Sequence, residues 1–332
     1  MRAFVLKIKE FFKLDKPNAQ ENFSADKREL RIPLYQREYK WENDKINALI
    51  TDVRKQSKFL GNIILEEADN CYEIADGQQR ITTCYLILTY LYNYYRGSPL
   101  EQQSVANILK PYGSFILKNE AVGTYLCEQG DQIKLDISET ADIYYQKADF
   151  DRVYDAISAA MTFITTPVEA RDFKEKLLNS EVIVLISDQT TITPIEQIFL
   201  DINEKAQLLD VEDIFKGHCF EIFSPEFYSN LRDTWVNLKK CAVGFKKFGI
   251  KTLGDYIYLF LLEHDNAQLP KKLSVGGQHY LEGKTMDATD ALLQEMILYG
   301  NNILRFHGNL QDTNYRFEDI CSNSHEYRAT HD

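Results

Sequence analysis

A helical pattern without a polar face is the feature that most constrains how this chain can fold. From Ile81 to about residue 95 apolar side chains occur almost all round the helical pattern. A helix that is apolar all round must be buried in a layered core. An apolar run of strand length at 71–76 precedes it, and Gly77 permits a tight turn between strand and helix. The sequence therefore predicts a strand, a glycine turn and a buried helix at the centre of the fold.

The start of this helix has the composition of an anion-binding site. The backbone N–H groups of a first helical turn favour negative charge. Arg80 falls in that turn, and its planar guanidinium can bind two phosphate oxygens at once. Gln78 and Gln79 can donate and accept hydrogen bonds without adding charge. The alternative is a purely structural turn, in which Arg80 pairs with Asp76 and the glutamines cap backbone groups.

A second segment, at 31–42, concentrates aromatic, amide and cationic side chains. Tyr35, Tyr39 and Trp41 alternate with polar residues, so an extended backbone would place them on one face. They could stack on a base or line a pocket that reads an unusual DNA group, or they could pack against the buried helix. For Trp41, packing is the favoured interpretation.

Together the two segments resemble the GmrSD-type restriction proteins, whose N-terminal domain has a ParB/sulfiredoxin-like nucleotide-binding fold. The signature motif of that family is the Asp-Gly-Gln-Gln-Arg found at 76–80, and its opening motif matches at 32–41. The strand before the signature matches at 59–65 and a closing motif at 198–216, although Ala206 stands where the family usually has Gly. The resemblance covers roughly residues 10–220.

The resemblance implies a site that binds a nucleoside triphosphate with Mg²⁺ and hydrolyses it. Arg80 would clamp phosphates, and Gln78 or Gln79 would position water or the terminal phosphate. Asp76 would hold Mg²⁺ or orient Arg80. Asn203, in the closing motif, would either approach the ligand or cap a helix. The other implied nucleotide-binding residues are Gly77, Thr82, Thr83 and Arg37, and the implied DNA-contacting residues are Tyr35, Gln36 and Arg37.

The expected fold class is α+β. A ParB-like domain with a small sheet is expected over 1–220, with a helical insertion at about 100–180, followed by a mostly helical domain at 221–332. Residues 2–13 have helical periodicity, and Thr193-Pro194 marks a further helix start. Strands are predicted at about 28–33, 60–66, 71–76 and 181–186, and a helix at about 43–57.

Composition limits the partners. A net charge of −12, from 38 basic and 50 acidic residues, argues against attachment of the whole surface to a polyanion. A local basic groove around Arg28, Arg31, Arg37 and Lys40 stays open. No run approaches the ~20 apolar residues of a membrane span, so a cytoplasmic protein is expected. The six cysteines form no CxxC pair and the six histidines no paired-ligand spacing, so reduced thiols and no structural zinc are expected.

Longer family members carry an HNH-type nuclease, whose motif does not appear in the final residues here. We therefore expect either a fragment of a longer protein or a partner that supplies cleavage, and assign nuclease catalysis to no residue. The leading hypothesis is an NTP-binding, NTP-hydrolysing module of an anti-phage restriction system that acts on DNA. The alternatives are a non-enzymatic ParB-like sensor of nucleotide or modified DNA, and an interaction scaffold based on the helical C-terminal half.

Overall fold

The computed structural model describes residues 2–13, 27–120, 126–135, 147–187, 211–264, 281 and 283–312. Asn203 and the helix start predicted at Thr193-Pro194 lie outside these residues. The chain forms two compact units, the first comprising Met1–Leu209 with Lys216–Tyr228 and the second Asp210–Phe215 with Ser229–Asp332. The α+β class predicted from the sequence is confirmed.

A six-stranded mixed sheet forms the centre of the first unit. The strands of this unit are β1 Arg2–Lys7, β2 Leu30–Ile32, β3 Phe59–Glu67, β4 Tyr72–Asp76, β5 Leu117–Asn119, β6 Leu126–Gln129, β7 Gln132–Leu135 and β8 Glu181–Ser187. The sheet order is β1-β8-β3-β4-β2-β5. β1 pairs antiparallel with β8, and β3 antiparallel with β4, whereas the other three pairs are parallel. The remaining strands, β6 and β7, form a separate antiparallel hairpin.

The helix after the signature is buried as its sequence predicts. The helices of this unit are α1 Ile8–Phe11, α2 Asn43–Lys55, α3 Gln78–Tyr94, α4 Pro99–Leu109, α5 Lys147–Ala160 and α6 Pro167–Leu178. All side chains of α3 from Ile81 to Thr89 are buried, and the helix packs against α4, α5 and α6. Tyr85 of α3 donates a 2.7 Å hydrogen bond to the carbonyl of Leu109 at the end of α4.

The helical periodicity at the N-terminus does not correspond to the observed structure of β1. Residues 2–13 have helical periodicity, but the structure extends Arg2–Lys7 as an edge strand and leaves only Ile8–Phe11 helical. β1 pairs with β8 along its whole length, from Arg2 opposite Ile186 to Lys7 opposite Glu181. This pairing satisfies backbone groups of both strands, which a short amphipathic helix could not do for β8.

Helices make up the second unit. α7, Val211–Ile222, gives its first residues to this unit and those from Lys216 onward to the first. The other helices are α8 Tyr228–Gly244, α9 Leu253–His264 and α10 Met286–Asp312. Within the unit, the fully buried Trp235 stacks on Phe215, and Lys239 pairs with Glu212 at 2.9 Å.

Two further observations bear on the sequence predictions. Five of the six cysteines fall in the described residues, where all five are free thiols and four are buried. Burial raises the pKa of Cys84 to about 12 and that of Cys71 to about 11. No helix in the part of the chain that the structure describes is long and apolar enough to cross a membrane.

Candidate functional site

Two β-bulges lie beside the start of α3. In β4, Leu65 faces Ile74 and Ile64 faces Asp76, so Ala75 is an extra residue on that strand. In β3, Phe59 faces Glu181 and Asn62 faces Ile183, so the Leu60-Gly61 step carries the second extra residue. Gly61 has φ +102°, a left-handed conformation that favours glycine. Bulges of this kind redirect nearby side chains, and they are frequent next to active sites.

Gly77 makes the turn from β4 into α3. Its φ of +92° is left-handed, and a Cβ at this position would lie 3.1 Å from the carbonyl oxygen of Asn62. The first helical hydrogen bond runs from the Ile81 N–H to the Gly77 carbonyl, at 3.0 Å. Among the described residues, nothing accepts the N–H groups at 78, 79 and 80. The predicted tight turn therefore brings a helix N-terminus close to the β3 bulge.

Arg80 lies at that bulge. Its Nη1 donates a 2.8 Å hydrogen bond to the carbonyl of Asn62, and the side chain is partly exposed. Across the described ranges Arg80 forms no ion pair with Asp76, so the structural alternative for this arginine is not what the fold adopts. A guanidinium has five N–H donors, and the single bond to Asn62 leaves most of them for other partners.

Both signature glutamines bind the backbone of residues 31–42, the opening segment. The Gln78 amide donates to the Arg37 carbonyl at 2.6 Å, and the Gln79 amide donates to the Glu38 carbonyl at 2.8 Å. The Gln79 side-chain oxygen also accepts the N–H groups of Lys40, at 2.7 Å, and Trp41, at 3.2 Å. In this structure the glutamines therefore fix the opening segment to the first turn of α3, as the structural alternative for them expects.

After the end of β2 at Ile32 the opening segment is a turn followed by irregular chain, so the condition for a shared aromatic face, an extended backbone, is not met. Gln36 N–H closes a turn onto the Pro33 carbonyl at 3.1 Å. Tyr35 is 2% exposed and packs edge-to-face on Phe220, whereas the Tyr39 hydroxyl lies 2.7 Å from Thr83 Oγ1. Burial raises the pKa of Tyr39. These aromatics therefore face different surroundings.

Trp41 and Arg37 are partly exposed and Lys40 is exposed. The packing favoured for Trp41 stays a prediction. Its backbone carbonyl accepts a 3.3 Å hydrogen bond from Arg152 of α5, which holds the end of the segment in place. The side of the opening segment that faces solvent thus carries cationic and aromatic groups.

Gln36 supports the bulge that precedes the signature. This side chain is 1% exposed and donates to the carbonyls of Ile74, at 3.0 Å, and Ala75, at 2.5 Å. Its own backbone carbonyl accepts a 2.6 Å hydrogen bond from the buried Lys216. The sequence placed Lys216 in the closing motif but not in the predicted site. Its position 180 residues from Gln36 gives no local signal of this contact.

A comparison with family models identifies the chain. Residues 19–220 match the GmrSD restriction endonuclease, N-terminal domain. The chain belongs to this family. The match covers every site element described above, from the opening segment to Lys216. Membership in the GmrSD family implies a part in a restriction or defence system. A comparison with curated proteins gave no match.

The residues of this GmrSD-family site can be compared with those that binding of a nucleotide and Mg²⁺ requires. Among the described residues no three His, Cys, Asp or Glu side chains are grouped as a metal site. Mg²⁺ bound with a nucleotide needs fewer than three such side chains. Phosphates and water supply most of its ligands, beside one or two carboxylates. Asp76, partly exposed at the end of β4, can supply one. Thr82 and Thr83 are buried, with Thr83 Oγ1 donating to the Gln79 carbonyl at 2.7 Å.

The structure thus brings together most of the residues predicted from the sequence. Asp76, Gly77 and Arg80 lie at the start of α3, where they are partly exposed. The remaining described members lie around them, in the first two turns of α3 and in the opening segment. The residues that sequence reasoning did not assign to the site are Gly61, Asn62 and Lys216.

Proposed function

We propose that the first unit binds a nucleoside triphosphate with Mg²⁺ at the start of α3 and hydrolyses it as a step in DNA restriction. The observation that carries this proposal is the partly exposed guanidinium of Arg80 beside three helical N–H groups that have no acceptor among the described residues. A helix N-terminus and a guanidinium both favour phosphate oxygens. The family supports a restriction role, because its members are restriction endonucleases.

Each group at the start of α3 has a role in this proposal. Arg80 binds phosphate oxygens and neutralises the charge that develops during transfer. Asp76 would hold the metal ion, which would supply positive charge to the phosphates. Gly77 lets the backbone approach the ligand closely. Gln78 and Gln79 act mainly through the opening segment that they hold, and a contact of either with water or phosphate stays a prediction.

DNA contact is proposed for the solvent-facing side of the opening segment. Arg37 and Lys40 are the cations accessible there. Tyr35 and Gln36, also predicted to touch DNA, are at most 2% exposed, so they would act by shaping the segment. The DNA, modified or not, would be cleaved by a nuclease partner.

One observation favours the second candidate, a ParB-like sensor that binds nucleotide without turnover. Both glutamines expected to position water already bind backbone carbonyls through their amides. A site that holds phosphate but orients no water would bind the triphosphate without hydrolysing it. Phosphate release measured beside binding separates the two candidates.

Thermal unfolding with each of the four common NTPs, with and without Mg²⁺, tests the proposal. A ligand that binds only the folded state stabilises it by about 2.7 kcal/mol at 100 times its dissociation constant. We expect a Mg²⁺-dependent rise in the midpoint that Arg80→Ala removes. Arg96→Ala is the matched control, since Arg96 is an exposed arginine just beyond the other end of α3, paired with Asp131. If no NTP raises the midpoint, or if Arg80→Ala retains the rise, the proposal is wrong.

A further inference from the structure

The β3 bulge and Arg80 are in unusually close contact. A Cβ built at Gly61 would lie 3.0 Å from Nη2, 3.1 Å from Cζ and 3.3 Å from Nη1 of Arg80. These three atoms belong to the guanidinium, at the far end of the side chain. The missing side chain of Gly61 therefore leaves the space that the guanidinium occupies.

The guanidinium is fixed at this place from two sides. Its Nη1 is bound to the carbonyl of Asn62, the residue that follows Gly61. Its Cα belongs to the first turn of α3, which Gly77 brings against the same strand. A Cβ at Gly77 would lie 3.1 Å from Asn62 O and 3.2 Å from Ile63 Cγ1. Two left-handed glycines, Gly61 in β3 and Gly77 just after β4, thus let the helix start and the bulge approach each other.

We propose that Gly61 is a positioning residue for Arg80: its missing side chain leaves the space in which the Asn62 carbonyl holds the guanidinium in the orientation that receives phosphate. This inference rests on the proposed function for its ligand, but its geometry stands on the contact between Gly61 and Arg80. An arginine side chain loses rotamer freedom when it binds a ligand, and a preformed position reduces that loss. Gly61 therefore acts on nucleotide affinity through Arg80, without touching the nucleotide.

Gly61→Ala is the variant that tests this role. The new methyl would push the guanidinium away from Asn62, and it would also strain the backbone at φ +102°. Gly97→Ala is the matched control because Gly97 has φ +85° and nothing within 4 Å of its Cβ position. It carries the same kind of backbone strain without the contact to Arg80. Each variant is measured by urea denaturation and by nucleotide affinity, alone and combined with Arg80→Ala.

Two results are expected. Gly61→Ala should weaken affinity for the NTP with Mg²⁺ by about 10- to 100-fold, the effect of losing one hydrogen bond to a charged group, whereas Gly97→Ala should leave it unchanged. In the absence of nucleotide, Gly61→Ala should lower the urea midpoint more than Gly97→Ala does. In the Arg80→Ala background that excess should disappear, because the clashing group has been removed.

The urea denaturation measurements separate this inference from the proposed function. If the wild-type chain binds no NTP but the excess destabilisation disappears with Arg80→Ala, the positioning contact stands and the nucleotide proposal fails. The inference is overturned if the wild type binds nucleotide and Gly61→Ala binds it equally tightly, or if Gly61→Ala lowers the urea midpoint equally with and without Arg80. It is also overturned if Gly61→Ala fails to fold both with and without Arg80. If Gly61→Ala does not fold but the double variant Gly61→Ala with Arg80→Ala does, the inference is supported.

Discussion

Gln79 should be the signature residue on which the stability of the first unit depends most. Its side chain is 5% exposed and forms three hydrogen bonds to the opening segment, one to the Glu38 carbonyl and two from the N–H groups of Lys40 and Trp41. Gln79→Met keeps an unbranched side chain of similar helix propensity and removes all three. At about 0.5–1.5 kcal/mol net for each bond, the expected loss is about 1.5–4.5 kcal/mol.

Gln78→Met is the internal control. Gln78 is equally buried, but its side chain forms one hydrogen bond to the segment, to the Arg37 carbonyl, so the expected loss is about 1 kcal/mol. The difference between the two variants isolates the extra bonds that Gln79 makes, since both start from the same residue type in the same helical turn.

Urea denaturation, monitored by tryptophan fluorescence, can measure these losses of stability in the first unit. The chain has two tryptophans. A Trp235→Phe background leaves Trp41, in the first unit, as the only reporter, which avoids mixing the transitions of the two units. If Gln79→Met costs no more than Gln78→Met, the bonds to Lys40 and Trp41 do not hold the opening segment, and the reasoning is refuted.

Two further predictions concern charge. Glu212→Gln should destabilise the second unit by about 3–5 kcal/mol at pH 6, since it removes the carboxylate 2.9 Å from buried Lys239. Burial lowers the pKa of Lys239 to about 7, so denaturation at pH 9, where the amine is neutral, should show a smaller cost; an equal cost would contradict this. Hydrogen bonds from Thr165 and Thr166 lower the pKa of Glu169 from 4.5 to about 2. The stabilisation that Glu169→Gln removes should therefore be constant above pH 5 and decline as the pH falls below about 4.5; a decline already at pH 6 would contradict this.

Local sequence patterns correctly predicted the elements whose pattern matches their surroundings in the fold. The all-apolar helix could only be buried, and Asp76-Gly77 before it could only be a turn, so β4, Gly77 and α3 are where the sequence indicated. α2 likewise buries Ile46, Ile50 and Val53, which share one helical face. These elements could be predicted because burial of apolar area and the conformational freedom of glycine act within a few residues of chain.

Other elements differ from their local pattern because distant pairing decided the outcome. β1 has a helical pattern but extends because β8 offers a partner strand. The 100–180 region, expected to be helices and polar connections, also contributes β5 to the main sheet, next to β2. The alternation of Tyr35, Tyr39 and Trp41 would give a shared face on an extended backbone, but Tyr35 lies in the turn at Pro33–Gln36 and the chain after it is irregular. Alternation of residue types places side chains on one face only when the backbone is extended.

The sequence alone determined which chemical groups this chain brings to its site, and the tertiary structure decided what each group does there. Asp76, Gly77 and Arg80 are close together in the chain, so their proximity is local and could be predicted. Arg80 binds the backbone of β3 at Asn62, and this strand comes close to Arg80 only through the pairing of β3 with β4. Gln36 and Lys216 meet across 180 residues. Such contacts arise from the packing of whole elements, which no short window of sequence contains.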